Sequence, residues 1–168
     1  MQKNKTYTIA LYGMFTALAL MLSFVEYQLP LMAAYPGMKI GLANIVIVSA
    51  LYMLGIKAAV IINLLRVVMA FLLFGNAMSL MYSLAGAVIS LLVMILLKKT
   101  GKLAILTISV AGAISHNIGQ ILVALLVTGI SQILWYFIVL WLTAIGSGIV
   151  IGFLGMIIVK RFNSILMK

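Results

Sequence analysis

The sequence has no cysteine, no aspartate and a single acidic residue, Glu26. Without cysteine there are no disulfides, iron–sulfur centres or thiolate metal sites, and one histidine does not replace them. Phosphoryl and prenyl transfer normally need several carboxylates to hold Mg²⁺, and this chain has one. A Gly-rich Walker loop and the elbow motif of a Ser–His hydrolase are also missing. We therefore expect no metal, no cofactor and no enzymatic activity of its own.

Charge of any sign is scarce. Charged residues make up 7% of the 168 residues and hydrophobic residues 67%, whereas a soluble domain is about a quarter charged and about half apolar. A helix needs roughly 20 apolar residues to cross a bilayer. These values predict an all-α integral membrane bundle. We expect it to form one transmembrane domain over residues 1–168, with no length left for a separate soluble domain.

The apolar runs predict six transmembrane helices, with turn signals at Gly75-Asn76 and Thr128-Gly129. The predicted second span is short and is therefore expected to be tilted or partly re-entrant. The six spans run from Tyr7 to Val25, Gly41 to Gly55, Ala58 to Phe74, Ser79 to Leu97, Leu103 to Val127 and Gln132 to Val159.

The cations are distributed unevenly between the two predicted sides of the membrane. With the N-terminus inside, the outer loops hold only Lys39, and Arg66 falls within the third span. The inner segments hold Lys3, Lys5, Lys57, Lys98, Lys99, Lys102, Lys160, Arg161 and Lys168. Positive charge favours the cytoplasmic side, so both ends are predicted to lie in the cytoplasm of a multi-pass plasma-membrane protein. No basic face interleaved with stacking aromatics appears, so nucleic acid is not an expected partner.

Arg66 is the strongest single signal for function. A charge near mid-membrane costs at least about 2.5–3.5 kcal/mol, so such residues usually face a cavity or a partner helix. Asn63 precedes it by three residues and lies on the same helix face. Arg66 is either a cationic anchor for an anionic ligand or a structural bridge to Glu26 or to helix-end carbonyls.

Two further polar segments join Arg66 in the predicted site. His116, Asn117 and Gln120 give the fifth span a polar face, which is either a cavity wall or a set of interhelical hydrogen bonds. The loop before the second span presents Lys39, the Gly41 backbone and Asn44, either as the rim of a binding site or as an ordinary re-entrant turn.

Depth along the spans places these residues in one pocket that opens to the outside, with Arg66 towards its floor. Two cations in the set favour an anionic or phosphorylated ligand. The predicted ligand-binding residues are Lys39, Gly41, Asn44, Asn63, Arg66, His116, Asn117 and Gln120.

Small residues form a stripe on two of the predicted spans. On the first span the stripe is Thr6, Ala10, Gly13 and Ala17, and on the sixth it is Gly148, Gly152 and Gly155. Small residues at this spacing let another helix approach closely. The approaching helix belongs either to the same bundle or to another subunit, and Ala10, Gly13 and Ala17 are the candidate partner-binding residues.

Two segments of the sequence carry a family resemblance. They are Pro36-Gly37-Met38-Lys39-Ile40-Gly41-Leu42-Ala43-Asn44 and Ser115-His116-Asn117-Ile118-Gly119-Gln120, and Arg66 and Leu73-Phe74-Gly75 lie between them. Together these residues resemble the bacterial Gx transporter family. Its members also carry the description heptaprenyl diphosphate synthase component I. The family is similar to the S subunits of energy-coupling factor transporters. Those are six-helix membrane proteins with an outward-facing site for vitamins and related nutrients, and they work with a T subunit and two cytoplasmic ATPases.

The resemblance implies a membrane subunit that binds a small, anionic nutrient or precursor and meets a T subunit through the stripe on the first span. A different class of function is a non-catalytic membrane component of heptaprenyl diphosphate synthase, acting in isoprenoid or quinone synthesis. The short, merely basic inner loops argue against a docking surface for such an enzyme. An autonomous secondary carrier would need buried acids for a coupling ion, and Glu26 at the outer edge is a poor candidate.

Overall fold

The computed structural model describes residues 5–28, 41–128 and 133–166, and within them it contains six α-helices and no strand. The predicted spans all correspond to helices, with ends that agree within three residues except that the last helix continues to Leu166, beyond the predicted Val159. In chain order the helices are α1 (Lys5–Gln28), α2 (Ala43–Met53), α3 (Ile56–Phe74), α4 (Ala77–Lys99), α5 (Ile105–Thr128) and α6 (Ile133–Leu166).

The breaks between helices have local causes. Gly55 and Gly101 adopt positive φ angles of 93° and 68°, which glycine tolerates without steric cost, and they separate α2 from α3 and α4 from α5. The predicted turn at Gly75-Asn76 is confirmed. There the Asn76 side chain caps α4 by accepting a hydrogen bond of 2.8 Å from the backbone N–H of Ser79.

Five of the helices in the described part of the chain are long and apolar enough to cross a membrane, and the chain is a multi-pass membrane protein. The exception is α2, whose 11 residues rise about 16 Å at 1.5 Å per residue. That length is about half of a hydrocarbon core. The expectation that the second span is short is confirmed.

The helices pack as a ring in the order α1, α3, α4, α5, α6 and α2, which closes on α1. α2 also packs against α3, and it is apolar apart from Asn44 and Ser49, as expected of a buried helix. Its Ile47 and Leu51 are fully buried together with Ile62 and Ile108 in the main core. Large apolar side chains cover the outside of the bundle, which suits lipid rather than water.

The small residues of α6 serve contacts inside the bundle. A Cβ atom at Gly148 would lie 2.7 Å from Cα of Val110 on α5, and one at Gly152 would lie 2.8 Å from Cα of Leu106. A Cβ atom at Gly155 would lie 3.4 Å from the Val48 side chain. Of the two readings offered for such stripes, packing within the same bundle therefore holds for α6.

The stripe on α1 has the opposite placement. Ala10, Gly13 and Ala17 are exposed, and no described atom outside its own local backbone lies within 4 Å of a Cβ built at Gly13. The buried residues Phe15 and Ala19 face the other way, towards the core. The α1 stripe therefore lies on the outer surface of the bundle.

Candidate functional site

Arg66 is buried on α3, with 7% of its surface exposed. Its Nη2 donates a hydrogen bond of 2.9 Å to Oδ1 of Asn63, as the three-residue spacing predicts. Asn63 in turn donates from Nδ2 to the carbonyl oxygen of Ala87 on α4, at 3.3 Å. The amide thus holds the guanidinium in place and links α3 to α4.

Glu26, the only acidic residue of the sequence, lies near Arg66 at the end of α1. Its side chain is buried, and the two charges interact electrostatically. The Glu26 carboxylate also accepts a hydrogen bond from the backbone N–H of Gly41. Arg66 Nη1 lies 3.5 Å from the Ser23 hydroxyl, one turn before Glu26. The alternative that Arg66 bridges to Glu26 is therefore supported, and Glu26 has a second role in positioning the chain at Gly41.

A cleft lies beside Arg66, between α1, α3 and α4, at the end of the bundle that the charge pattern predicts to be outer. Its cavity volume is about 40 Å³, and it opens to the surface. We call it the polar cleft, because its polar lining consists of Ser23, Glu26, Tyr27, Arg66, Ser79 and Ser83.

The aromatic side of the polar cleft is built by α1 and α3. The rings of Phe24 and Tyr27 lie 5.4 and 5.3 Å from the ring of Phe74, centroid to centroid. Tyr27, Phe71 and Phe74 line the cleft itself. Such contacts fix the end of α1 against the end of α3 and so set the width of the opening.

The serines of the polar cleft are not among the site residues predicted from the sequence. Ser79 and Ser83 are four residues apart on α4, which places both on the face that meets Arg66. That spacing is a signal, but serines are common in membrane helices, where they often bond to their own backbone. Only the packing of α4 against α3 identifies them.

His116 and Gln120 form a second buried pair, on α5. Gln120 Nε2 and His116 Nε2 lie 3.3 Å apart, as the four-residue spacing predicts. The imidazole packs against α4 at Gly86, where a Cβ atom would lie 2.8 Å from its Cε1 and Nε2 atoms. Among the described residues, Gln120 Oε1 has no hydrogen-bond partner.

Asn117 contacts α6, and Asn44 lies beside Gly41. Asn117 is buried and donates from Nδ2 to the carbonyl oxygen of Leu140 on α6, at 2.8 Å, which is an interhelical bond of the kind offered as the alternative to a cavity wall. Asn44 lies beside Gly41, with its amide nitrogen 3.1 Å from a Cβ built there. Lys39 lies outside the described residues.

The predicted site residues on α3 and α5 therefore fall into two groups on either side of α4. Asn63 reaches Ala87 from α3, whereas His116 packs on Gly86 from α5. Among the predicted residues that the structure describes, Arg66 is the one that lines the polar cleft. The structure pairs Arg66 with Asn63 and His116 with Gln120, and it adds Glu26 and the serines to the first group.

No curated protein and no solved structure gives a significant match. The profile of the family described as heptaprenyl diphosphate synthase component I matches residues 15–158. Because that match covers most of the sequence, including α2, α3, α4 and α5, the chain belongs to the heptaprenyl diphosphate synthase component I family.

Proposed function

We propose that the chain is the substrate-binding membrane subunit of a transporter in the plasma membrane. It takes up a small, anionic nutrient or precursor from outside, and ATPases on other chains drive the cycle. The observation that carries this proposal is a buried arginine beside a hydroxyl-lined cleft at the predicted outer end of the bundle.

The donor capacity of Arg66 supports an anionic ligand. A guanidinium has five N–H donors in a planar fork. Asn63 and Ser23 take one each from the two terminal nitrogens, and Nε has no hydrogen-bond partner among the described residues. A phosphate or carboxylate in the polar cleft accepts charge-assisted bonds from the remaining donors. Ser79 and Ser83 supply hydroxyls for the rest of the ligand.

Glu26 gives the proposed site its charge balance. A buried cation without a counter-charge is costly at membrane depth, and the Glu26 carboxylate offsets that cost. It also disfavours a ligand with several negative charges, because like charges repel strongly where water is scarce. The site as a whole favours a ligand with one anionic group.

The surface of α1 supports docking of another membrane subunit. Ala10, Gly13 and Ala17 are exposed opposite the core face of α1, and small residues allow close backbone approach. The T subunit and the two ATPases as partners come from the resemblance to energy-coupling factor transporters.

A second function is favoured by the family description, which names a component of heptaprenyl diphosphate synthase. The chain would then be a non-catalytic membrane component of that synthase. Non-catalytic follows from the composition, because a sequence with one acidic residue and no aspartate lacks the carboxylates that hold Mg²⁺ around a diphosphate.

Affinity purification from the native host in mild detergent, with mass spectrometry of the co-purifying chains, separates the two functions. The transporter proposal expects a T subunit and two ATPases. Gly13→Leu should abolish their recovery, while Leu18→Phe, at an exposed position off the stripe, should leave it intact. Recovery of a prenyl synthase subunit without ATPases would overturn the proposal and establish the second function.

A further inference from the structure

A second opening lies between α3 and α4, towards the predicted inner side from the polar cleft. Its cavity volume is about 150 Å³, and its lining is almost entirely apolar. Its exposed members Leu64, Val88 and Leu92 face the lipid side of the bundle, so it opens sideways into the membrane. We call it the apolar groove, and its remaining lining residues are Val60, Asn63, Ala87, Leu91 and Ile95.

The polar cleft and the apolar groove follow one another along the same two helix faces. On α4, Ser79 and Ser83 line the cleft, and Ala87, Leu91 and Ile95 line the groove. These residues are spaced four apart, so they form one row on the helix surface. The last residue of the cleft and the first of the groove are separated by about 6 Å of helix rise.

The line along which α3 and α4 meet, which we call the α3–α4 seam, shows the same succession on its α3 side. Val67 and Phe71 line the cleft, and Val60 and Leu64 line the groove, at spacings of three and four residues. The hydrogen bond from Asn63 to the Ala87 carbonyl crosses between the helices at the junction. Both of those residues are buried, and their neighbours Leu64 and Val88 are exposed, so the bond lies on the interior side and leaves the lipid side open.

The chemistry changes sharply along this seam. At the outer end it offers a buried guanidinium and hydroxyls, and beyond the junction it offers only aliphatic walls apart from Asn63. We propose that the α3–α4 seam binds a membrane-resident amphiphile, with one anionic head group on Arg66 and a single apolar chain in the apolar groove. This names the substrate class of the proposed transport site and rests on Arg66 as a ligand-binding residue.

Charge complementarity argues for this occupant over bulk lipid. Lipid tails are as apolar as the groove, so tail packing alone discriminates little between lipids. The guanidinium at the head of the seam selects an anionic head group, and Glu26 beside it selects against additional negative charge. A neutral lipid would leave Arg66 with donors unused.

The experiment uses the full chain in phosphatidylcholine nanodiscs and a photoactivatable hexadecyl phosphate with a diazirine near the end of its chain. Crosslinked peptides are mapped by mass spectrometry. Leu92→Trp fills the groove, and Leu96→Trp is its control, because the two leucines are 55% and 63% exposed on the same helix and only Leu92 lines the groove. Competition uses hexadecyl phosphate and its neutral analogue hexadecanol.

The proposal expects labelling of α3 and α4 around Val60 and Ile95, the groove residues farthest from Arg66, with hexadecyl phosphate competing and hexadecanol failing to compete. Leu92→Trp should lower the labelling about tenfold, equal to 1.4 kcal/mol, and Leu96→Trp by less than about twofold. Arg66→Gln should lower it to a similar degree as Leu92→Trp, and size-exclusion profiles report whether each variant is folded. If the labelling is spread evenly over all lipid-facing helices and neither Leu92→Trp nor Arg66→Gln changes it, the probe reports bulk lipid only and the proposal is overturned.

The failures of this inference and of the transport proposal are distinguishable. If butyl phosphate binds as tightly as hexadecyl phosphate, depends on Arg66 and ignores Leu92→Trp, the apolar chain has no role and the seam inference is wrong, while the anionic site stands. If the seam is labelled as expected but no ATPase co-purifies with the chain, the transport proposal is wrong and the amphiphile site stands.

Discussion

The two sides of α4 differ in how closely they are packed. Towards α5 and α6 the helices touch backbone to backbone, as at Gly119, where a Cβ atom would lie 2.7 Å from the Ala85 carbonyl oxygen. Towards α3 and α1 the helices leave the polar cleft and the apolar groove between them. Close packing leaves no room for a ligand on the first side, which we call the scaffold side. The second side, which we call the open side, holds the proposed binding site.

Overpacking of the scaffold side should give the largest loss of stability. Gly148→Val places a side chain against the backbone of α5 at Val110, which cannot move aside without shifting the helix. We expect a loss of about 4 kcal/mol in the free energy of unfolding, above the usual range for overpacking because the clash is with backbone.

Gly146→Val on the same helix is the matched control. Gly146 is exposed, and a Cβ built there meets no described atom within 4 Å. Thermal unfolding of both variants in detergent measures the difference. Equal melting temperatures would show that α5 and α6 do not form a rigid contact and would remove the basis of the comparison.

Arg66 and Glu26 should be coupled in stability on the open side. Arg66→Gln leaves a buried carboxylate without its counter-charge, and breaking a buried ion pair in this way typically costs about 3–5 kcal/mol. We expect about 2 kcal/mol, because the Gly41 backbone N–H continues to support Glu26.

The double variant Arg66→Gln/Glu26→Gln should recover more than half of that loss, since both charges are then gone. Unfolding of the two single variants and the double variant in the same detergent gives the coupling free energy. Additive losses would mean that the two charges do not interact, and Arg66 would then need another counter-charge.

Sequence alone predicts the helices and the local pairs within them. Apolar runs near 20 residues define the spans, and spacings of three and four place Asn63 beside Arg66 and Gln120 beside His116, as the structure confirms. These relations hold within one helix and need no knowledge of its neighbours.

The arrangement of the site depends on contacts between helices, which the sequence does not encode locally. The prediction of one pocket joined Arg66 to His116 by depth, but equal depth does not mean the same side of a helix. The structure inserts α4 between them, with Ala87 facing one pair and Gly86 the other. Ser79 and Ser83 enter the site for the same reason, because α4 turns them towards Arg66.

The smallest effect is expected from the His116–Gln120 pair, and it tests whether the scaffold side has any part in binding. Gln120→Met keeps the length of the side chain and removes an amide whose oxygen has no hydrogen-bond partner in the described part of the chain. Losing the contact to His116 at 3.3 Å should change the free energy of unfolding by no more than about 1 kcal/mol. Binding of an alkyl phosphate, for which we propose Arg66 on the other side of α4, should stay within about twofold of the unmodified protein. A larger loss of binding at unchanged stability would place Gln120 in the site and make both sides of α4 contribute to one pocket.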